Sequence, residues 1–229
     1  MLILAIDTAL EACAAAVLDT DTGKLIAQES QSMKRGHAEA LMPLIGRVIA
    51  ASGKSFASLG RIAVTTGPGS FTGLRVGLSA ARGIALAANI PAVGVTTLAA
   101  YAAPIVSEGA ENPVVSAIDA RHDHVYLQVV SGNGSALVKP RVAPITEALD
   151  TWKFGVPHLV GNAAGILAER WPEHAGAPFK VDMQPAPDIS WVGWLGAAVN
   201  PNTAPARPFY LRAPDAKPQT PSASPAASP

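Results

Sequence analysis

The sequence is poor in charge. Only 15% of its residues are Asp, Glu, Lys or Arg, and 17 basic residues balance 17 acidic ones, so the formal net charge at pH 7 is zero. A protein that holds nucleic acid alone normally presents a basic face to the phosphates. The balance therefore argues against an autonomous nucleic-acid-binding protein, although a local basic patch would still fit it. With 49% apolar residues, the chain is expected to be globular and to bury a sizeable core.

Cysteine and long apolar runs are also scarce. Cys13 is the only cysteine, which excludes an internal disulfide and favours a reducing cytoplasm, with the thiol as a small core residue. No run of about 18 apolar residues is present, so no membrane-spanning helix is expected. Asp7 and Glu11 interrupt the apolar N-terminal stretch and no basic residue precedes it, unlike a signal peptide. We therefore expect a cytoplasmic protein.

Sequence motifs for hydrolytic and metal chemistry are missing. Ser70 lacks the glycine two residues earlier that a Gly-x-Ser-x-Gly elbow requires, and no His-Glu-x-x-His is present. Cys13 has no activating histidine nearby in sequence. His122 and His124 could share one face of a strand, but no third ligand is apparent, so exposed hairpin residues are the better interpretation. These absences argue against a protease and against a metal site on this chain.

The most distinctive segment runs from Arg61 to Gly77. An apolar stretch predicts a buried strand, Gly67-Pro-Gly69 predicts a tight turn, and a helix capped by Ser70 or Thr72 is expected to continue to about residue 89. A strand, a glycine loop and a helix N-terminus together form a ready anion pocket. The candidate nucleotide-binding or anion-binding residues are Asp7, Gly67, Gly69, Ser70, Arg75 and Asp119.

The helix after this loop carries a face of small residues. Gly73, Gly77, Ala81 and Ala85 recur at intervals of four and so share one side of the helix. A glycine in a helix costs about 1 kcal/mol relative to alanine, so the two glycines call for close packing or a ligand. This face could pack on the chain's own sheet or receive a partner helix. In the second case, Gly77→Arg would leave the fold intact but abolish pairing.

The sequence pattern of the rest of the chain predicts two similar structural units. Alternating apolar residues and turn signals predict strands over 2–6, 12–18, 24–31 and 91–95, a helix from His37 to Ser52 stopped by Gly53, and a helix over 97–106. The second unit is predicted to have strands over 114–120, 124–130, 135–142 and 158–160, with helical stretches over 145–149, 163–171 and 189–199. Ala5-Ile-Asp7 recurs as Ala117-Ile-Asp119 at the same place in the second unit, which predicts a duplicated fold.

The domain prediction follows from these units. We expect an N-terminal lobe over residues 1–110, a reduced C-terminal lobe over 111–212, and a disordered Pro/Ala/Ser-rich tail over 213–229. Phe209–Arg212 is expected to be an ordered segment, and a closing strand is one form it could take.

Four sequence segments together resemble one family. They are Leu4-Ala-Ile-Asp-Thr-Ala9, Thr66-Gly-Pro-Gly-Ser-Phe-Thr-Gly-Leu-Arg75, Ala117-Ile-Asp-Ala-Arg121 and Tyr210-Leu-Arg212. The combination is similar to TsaB, also called YeaZ, a glycoprotease-like family of the actin-like ATPase superfamily. The resemblance covers roughly residues 1–212 and implies an α/β actin-like ATPase (ribonuclease H-like) fold, with two duplicated lobes of mixed sheet, the second reduced.

The resemblance also implies a function. TsaB proteins are non-catalytic subunits in tRNA modification, which pair with the metal-bearing paralogue TsaD and with the ATPase TsaE. The complex transfers a threonylcarbamoyl group from its adenylate to the adenosine next to the anticodon. This chain would need no cofactor, because ATP and a metal ion are expected on the partner subunits, and it would meet tRNA through the complex. The first-lobe helices form the TsaD contact in the family, which implies partner-binding roles here for Leu41, Gly73, Gly77, Ala81 and Ala85; without TsaD, this face could form homodimers.

The sequence of the turn after the first strand helps to distinguish a non-catalytic subunit from an enzyme. Actin-like kinases place Asp-x-Gly-Thr there, whereas Asp7-Thr-Ala-Leu10 keeps only the aspartate. A Cβ in place of the glycine narrows the room for phosphate, and Asp7 could instead close the turn by accepting backbone N–H groups. The alternative is an ATP-dependent small-molecule phosphotransferase in which Asp7, the Gly67–Gly73 loop and Asp119 surround nucleotide and magnesium.

Overall fold

The first half of the chain builds one sheet and three helices. The structure, a computed structural model, describes residues 1–212, and the tail predicted over residues 213–229 lies outside them. The strands are β1 (Leu2–Asp7), β2 (Ala12–Asp19), β3 (Lys24–Ser32), β4 (Leu59–Gly67) and β5 (Ala92–Thr96). The helices are α1 (His37–Ser52), α2 (Phe71–Ala88) and α3 (Thr97–Ser107).

The second half builds a second sheet with shorter helices. The strands are β6 (Val114–Arg121), β7 (His124–Val130), β8 (Ala136–Pro144), β9 (His158–Val160) and β10 (Lys180–Asp182). The helices are α4 (Ile145–Ala148), α5 (Ala164–Glu169) and α6 (Ile189–Ala198), and short 3₁₀ turns lie at Phe56–Ser58, Leu149–Phe154 and Glu173–Ala175. Within residues 1–212, none of the helices combines the length and the hydropathy that crossing a membrane requires.

Both sheets have the same strand order and the same strand directions. The orders are β3-β2-β1-β4-β5 and β8-β7-β6-β9-β10. In each sheet the first three strands form an antiparallel meander, and the last two run parallel to the first strand. Asp7 and Asp119 lie near the carboxyl ends of the equivalent strands β1 and β6. The predicted duplicated, mixed-sheet α/β fold of the actin-like ATPase type, with a reduced second lobe, is confirmed.

Two features of the second half differ from the sequence prediction. The sequence does not predict β10, whose three residues are too few to show a strand period. Residues 209–212 do not form a closing strand, although they are held in place. The amide N of Phe209 donates to the carbonyl O of Thr66 at 2.8 Å, and Pro205 makes an isolated bridge to Val93 on β5. Pro205 and Pro208 have no N–H to donate, so a continuous ladder cannot form here.

Helices α1 and α2 cover one face of the first sheet. Leu41, Leu44 and Ile45 of α1 are buried against the sheet. The boundaries predicted for α1 are confirmed, and the helix ends at Gly53, whose φ of 64° is the left-handed conformation that a glycine adopts without strain. The side-chain oxygen of Ser70 accepts from the amide of Gly73 and caps α2 as expected.

The opposite face of the first sheet is covered by α6, which comes from the second half of the chain. Ile189 and Val192 pack into this face, and Gly196 lies so close to Ala63 that no side chain would fit. Nη1 of Arg61 on β4 donates at 2.8 to 3.0 Å to three carbonyls at the end of α6, those of Gly196, Ala197 and Val199. Conversely, α3 from the first half of the chain packs against β6 of the second sheet. The two halves therefore share their cores.

Candidate functional site

The glycine-rich loop between β4 and α2 packs directly on the turn after β1. Gly67 ends β4 with a φ of 111°, and its peptide bond to Pro68 is cis. A Cβ on Gly69 would overlap the carbonyl of Ala9, and a Cβ on Gly73 would overlap the carbonyl of Thr8. These two glycines are required because the main chains of the loop and the turn touch.

Three polar groups of this loop are paired with the chain itself. The amide of Ser70 donates to the carbonyl O of Ala9 at 2.7 Å. The amide of Gly73 donates to Oγ of Ser70 at 3.3 Å, and Oγ1 of Thr8 donates to the carbonyl O of Gly73 at 2.7 Å. The Ser70 amide at the start of the helix is therefore already bonded to the carbonyl oxygen of Ala9. A bound anion would need such an amide to be free. The anion-binding role of Gly67, Gly69 and Ser70 stays a prediction, in which the Ser70 amide could take no part while it is bonded to Ala9.

Asp7 lies beneath this loop and is fully buried. Its Oδ1 accepts from Oγ1 of Thr65 at 2.5 Å and from the amide of Ala9 at 2.9 Å, while its Oδ2 has no hydrogen-bond partner among the described residues. Burial raises the pKa of this carboxyl, and the bonds from Thr65 and Ala9 only partly oppose the rise. Asp7 closes the turn, as the sequence allowed, and is not exposed to an open cleft.

The equivalent aspartate of the second lobe has different surroundings. Asp119 is exposed; its Oδ1 accepts from the amide of Arg121 at 2.7 Å, and its own amide donates to Oδ1 of Asn162 at 2.9 Å. Within residues 1–212, no hydrogen bond joins Asp7 to Asp119. Each aspartate satisfies its own turn, so the pair does not form one hydrogen-bonded cluster.

The histidines predicted to lie on a hairpin are found there. His122 is exposed in the turn between β6 and β7, and Nδ1 of His124 lies 2.6 Å from the carbonyl O of His122. In the part of the chain that the structure describes, no three His, Cys, Asp or Glu side chains gather in a group that could hold a metal ion.

The small-residue face of α2 points inward, which favours intramolecular packing over the partner-binding role that stays a prediction for its residues. Gly73, Gly77, Ala81 and Ala85 are all buried, as is Leu41 on α1. A Cβ on Gly77 would stand 2.5 Å from Oγ1 of Thr8 and 3.6 Å from Cγ2 of Val64. The face therefore packs on the chain's own sheet, the other possibility that the sequence left open. Gly77→Arg would disrupt the fold and cannot serve as an interface test.

The surface that α1 and α2 do present is an apolar groove of about 550 Å³. We name it the α1–α2 groove; it is lined by Ala38, Leu41, Met42, Phe71, Thr72, Arg75, Val76, Ser79 and Ala80. A second depression of about 560 Å³ shares Met42 and continues toward Phe56, Ile84 and the end of α2. Met42 is 49% exposed and Phe71 41%. Exposed apolar side chains gathered on two neighbouring helices are typical of a protein-binding surface.

Sequence reasoning selected both helices that line this groove and one of its lining side chains, Leu41, but not Met42 or Phe71. Met42 and Phe71 come from helices that are far apart in sequence, so no single periodic pattern joins them. One signal in the sequence could have found this surface, namely an apolar residue outside the buried stripe of its helix. Met42 is apolar but lies outside the buried stripe of α1, and exposed apolar residues of this kind indicate a surface to be covered.

Comparisons with known proteins agree with this fold. The family model described as TsaD, tRNA N6-adenosine threonylcarbamoyltransferase, matches residues 24–199. The chain is 38% identical to the tRNA threonylcarbamoyladenosine biosynthesis protein TsaB of Escherichia coli K12 over 126 residues, 55% of this chain and 53% of that protein. It is 35% identical to the tRNA N6-adenosine threonylcarbamoyltransferase of Pelobacter propionicus over 187 residues, 74% of this chain and 55% of that protein. The chain thus matches about half the length of each of these curated relatives.

A solved structure matches over a greater length. YeaZ from Pseudomonas aeruginosa superimposes with a TM-score of 0.76 at 28% sequence identity, covering 92% of this chain and 99% of that one. The family model covers two of the four motif segments, those at residues 66–75 and 117–121. The chain belongs to the TsaB (YeaZ) family, within the wider family that the TsaD model describes.

Proposed function

We propose that this chain is a non-catalytic scaffold subunit that pairs with TsaD and TsaE in the cytoplasm. In this proposal the assembly transfers a threonylcarbamoyl group to the adenosine next to the anticodon of tRNA. The single observation that carries the proposal is the α1–α2 groove, an exposed apolar surface on the lobe that the family uses for pairing. The family membership supplies the pathway.

The relationship to TsaD supports a pairing between similar lobes. The TsaD relative aligns with this chain over 187 residues, and the TsaD family model spans α1 to α6. A TsaD partner is therefore expected to carry helices equivalent to α1 and α2, and two such helix pairs could cover each other's apolar faces. The same self-complementarity would allow two copies of this chain to associate when TsaD is absent.

The surroundings of Asp7 support a subunit without its own catalysis. A kinase-like site needs an aspartate that can reach magnesium and a loop with free amides for phosphate. Here Asp7 is fully buried, and the Ser70 amide already bonds the carbonyl of Ala9. In the proposal, ATP and the metal ion are consequently held by the partner subunits, and the neutral composition of this chain leaves most contacts with tRNA to those subunits.

The proposal is tested by threonylcarbamoyl transfer to tRNA in the presence of the adenylate donor, TsaD and TsaE, with and without this chain. We expect transfer to depend on the chain, and the chain alone to show no ATP hydrolysis. Full transfer without it would overturn the scaffold role. Saturable ATP binding and hydrolysis by the chain alone would instead favour the phosphotransferase alternative.

A further inference from the structure

Arg75 stands out in the α1–α2 groove because it is the one charged side chain among the lining residues. Its guanidinium carbon lies 3.8 Å from the centroid of the Phe71 ring. Phe71 in turn contacts Tyr210, with ring centroids 5.5 Å apart. Within residues 1–212, the guanidinium makes no hydrogen bond and no ion pair. Arg75 is exposed and stacks on Phe71.

The aromatic platform under Arg75, Phe71 and Tyr210, is fixed by one main-chain and one side-chain hydrogen bond of the neighbouring residues. Tyr210 follows Phe209, whose amide donates to the carbonyl O of Thr66 on β4 at 2.8 Å. Two residues further on, Nη1 of Arg212 donates to the carbonyl O of Ala120 on β6 at 3.1 Å. The platform is thus tied to both lobes, and the guanidinium stacks on it without a partner present. Such pre-organisation lowers the entropy cost of forming a new hydrogen bond.

The position of Arg75 does not serve the stability of α2. Arg75 follows the first turn of the helix, near the positive end of the helix dipole, and that turn contains no acidic residue. A cation there is electrostatically unfavourable for the helix. It lines the groove together with two hydroxyl residues, Thr72 and Ser79, and otherwise with apolar side chains. A partner that covers the groove would remove water from the guanidinium, which is costly unless the partner supplies an acceptor.

We infer that Arg75 is a specificity-determining residue of the groove, and that the groove fits a partner helix carrying an Asp or Glu carboxylate beside apolar side chains. This inference rests on the proposed function and identifies that helix as one on the paralogous TsaD partner. The planar guanidinium on Phe71 would bind the carboxylate with two parallel N–H donors. A nucleic-acid backbone is a poorer fit, because phosphates require several cations and this groove offers one.

Calorimetry between this chain and TsaD provides the test. Arg75→Ala is expected to weaken binding about 30-fold, as for an arginine at the centre of an interface. Arg75→Glu should weaken it further because it would place like charges together. Arg75→Lys should fall between Arg75→Ala and the wild type, since it keeps the charge but loses the planar fork. Lys139→Glu, the same charge reversal at an exposed position of β8, is the matched control and should bind as the wild type does.

The carboxylate itself is located by substituting each Asp and Glu of the two partner helices with alanine. One of these substitutions should weaken binding to the wild type but have little further effect on Arg75→Ala, which is the result expected for a directly coupled pair. Wild-type binding with no loss in Arg75→Ala or Arg75→Glu would overturn the inference while leaving the proposed function intact. Loss of tRNA binding without loss of TsaD binding would also overturn it. No binding of TsaD by the wild type would instead remove the proposed function.

Discussion

At the scale of single residues, the contact between the Thr8–Ala9 turn and the start of α2 sets the distance between β1 and the helix. The carbonyl of Thr8 occupies the space that a Cβ on Gly73 would need. Backbone atoms cannot move aside as a flexible side chain can, so any larger residue must displace the helix or the turn. In the same contact the Ser70 amide donates to the Ala9 carbonyl and is not free to bind an anion. The close approach of turn and helix therefore accounts both for the glycine at position 73 and for the paired amide.

Gly73→Ala should destabilise the protein by about 1–3 kcal/mol, because an added Cβ overpacks this contact. The matched control is Gly83→Ala in the same helix, where nothing lies within 4 Å of the added Cβ. That variant should gain up to about 1 kcal/mol, since alanine is the better helix former. Urea unfolding of both variants measures the difference. Equal effects of the two substitutions would contradict the packing described for the loop.

Asp7→Asn should change how stability depends on pH. The pKa of Asp7 is raised by burial, so the folded protein holds this proton more tightly than the unfolded chain does. The free energy of unfolding of the wild type should therefore fall as pH rises through the interval above the ordinary value of about 4. Asp7→Asn has no such titration, so its stability relative to the wild type should increase with pH. Urea unfolding between pH 4 and 8 checks the trend, and a pH-independent difference would refute it.

At the scale of elements, α1 shows what the sequence can and cannot predict. Its boundaries follow from the spacing of its buried leucine, isoleucine and valine side chains and from Gly53, all of which are local signals. The direction of the small face of α2 is not local. Gly73 and Gly77 permit close approach equally well to the chain's own sheet or to another protein, and only the tertiary position of Thr8 decides between them. The α1–α2 groove likewise forms only where two helices pack together. The hydrophobic period of either helix alone does not predict it.

Met42→Glu should weaken binding to TsaD by at least about 10-fold, because it places a charge at the junction of the two depressions, where apolar contact is expected. Leu137→Glu on β8 is a suitable control, since Leu137 is exposed to a similar extent, 42% against 49% for Met42. Calorimetry measures both affinities, and circular dichroism confirms that both variants are folded. Equal affinities for the two variants would exclude the groove as the pairing surface.

At the scale of the whole molecule, the exchange of helices makes each half part of the other's core. Without α6, the face of the first sheet that carries Ile3, Ala5 and Ala63 would be exposed. The main core cluster also extends across both halves, from Leu4 on β1 to Val160 on β9. A protein built in this way is expected to unfold as one cooperative unit, because each sheet loses the packing contributed by a helix of the other half when that half unfolds.

Tryptophan fluorescence can test this cooperativity, because all four tryptophans lie in the second half of the chain. Replacing Trp191 and Trp194 of α6 with phenylalanine leaves Trp152 and Trp171 as reporters of the second sheet. In that background, Leu4→Ala in the first sheet should cost about 2–5 kcal/mol. It should lower the urea midpoint equally by fluorescence and by far-UV circular dichroism, as should the control Leu127→Ala in the second sheet. A fluorescence midpoint that Leu4→Ala leaves unchanged, with a two-step dichroism curve, would mean that the two halves unfold separately despite the shared core.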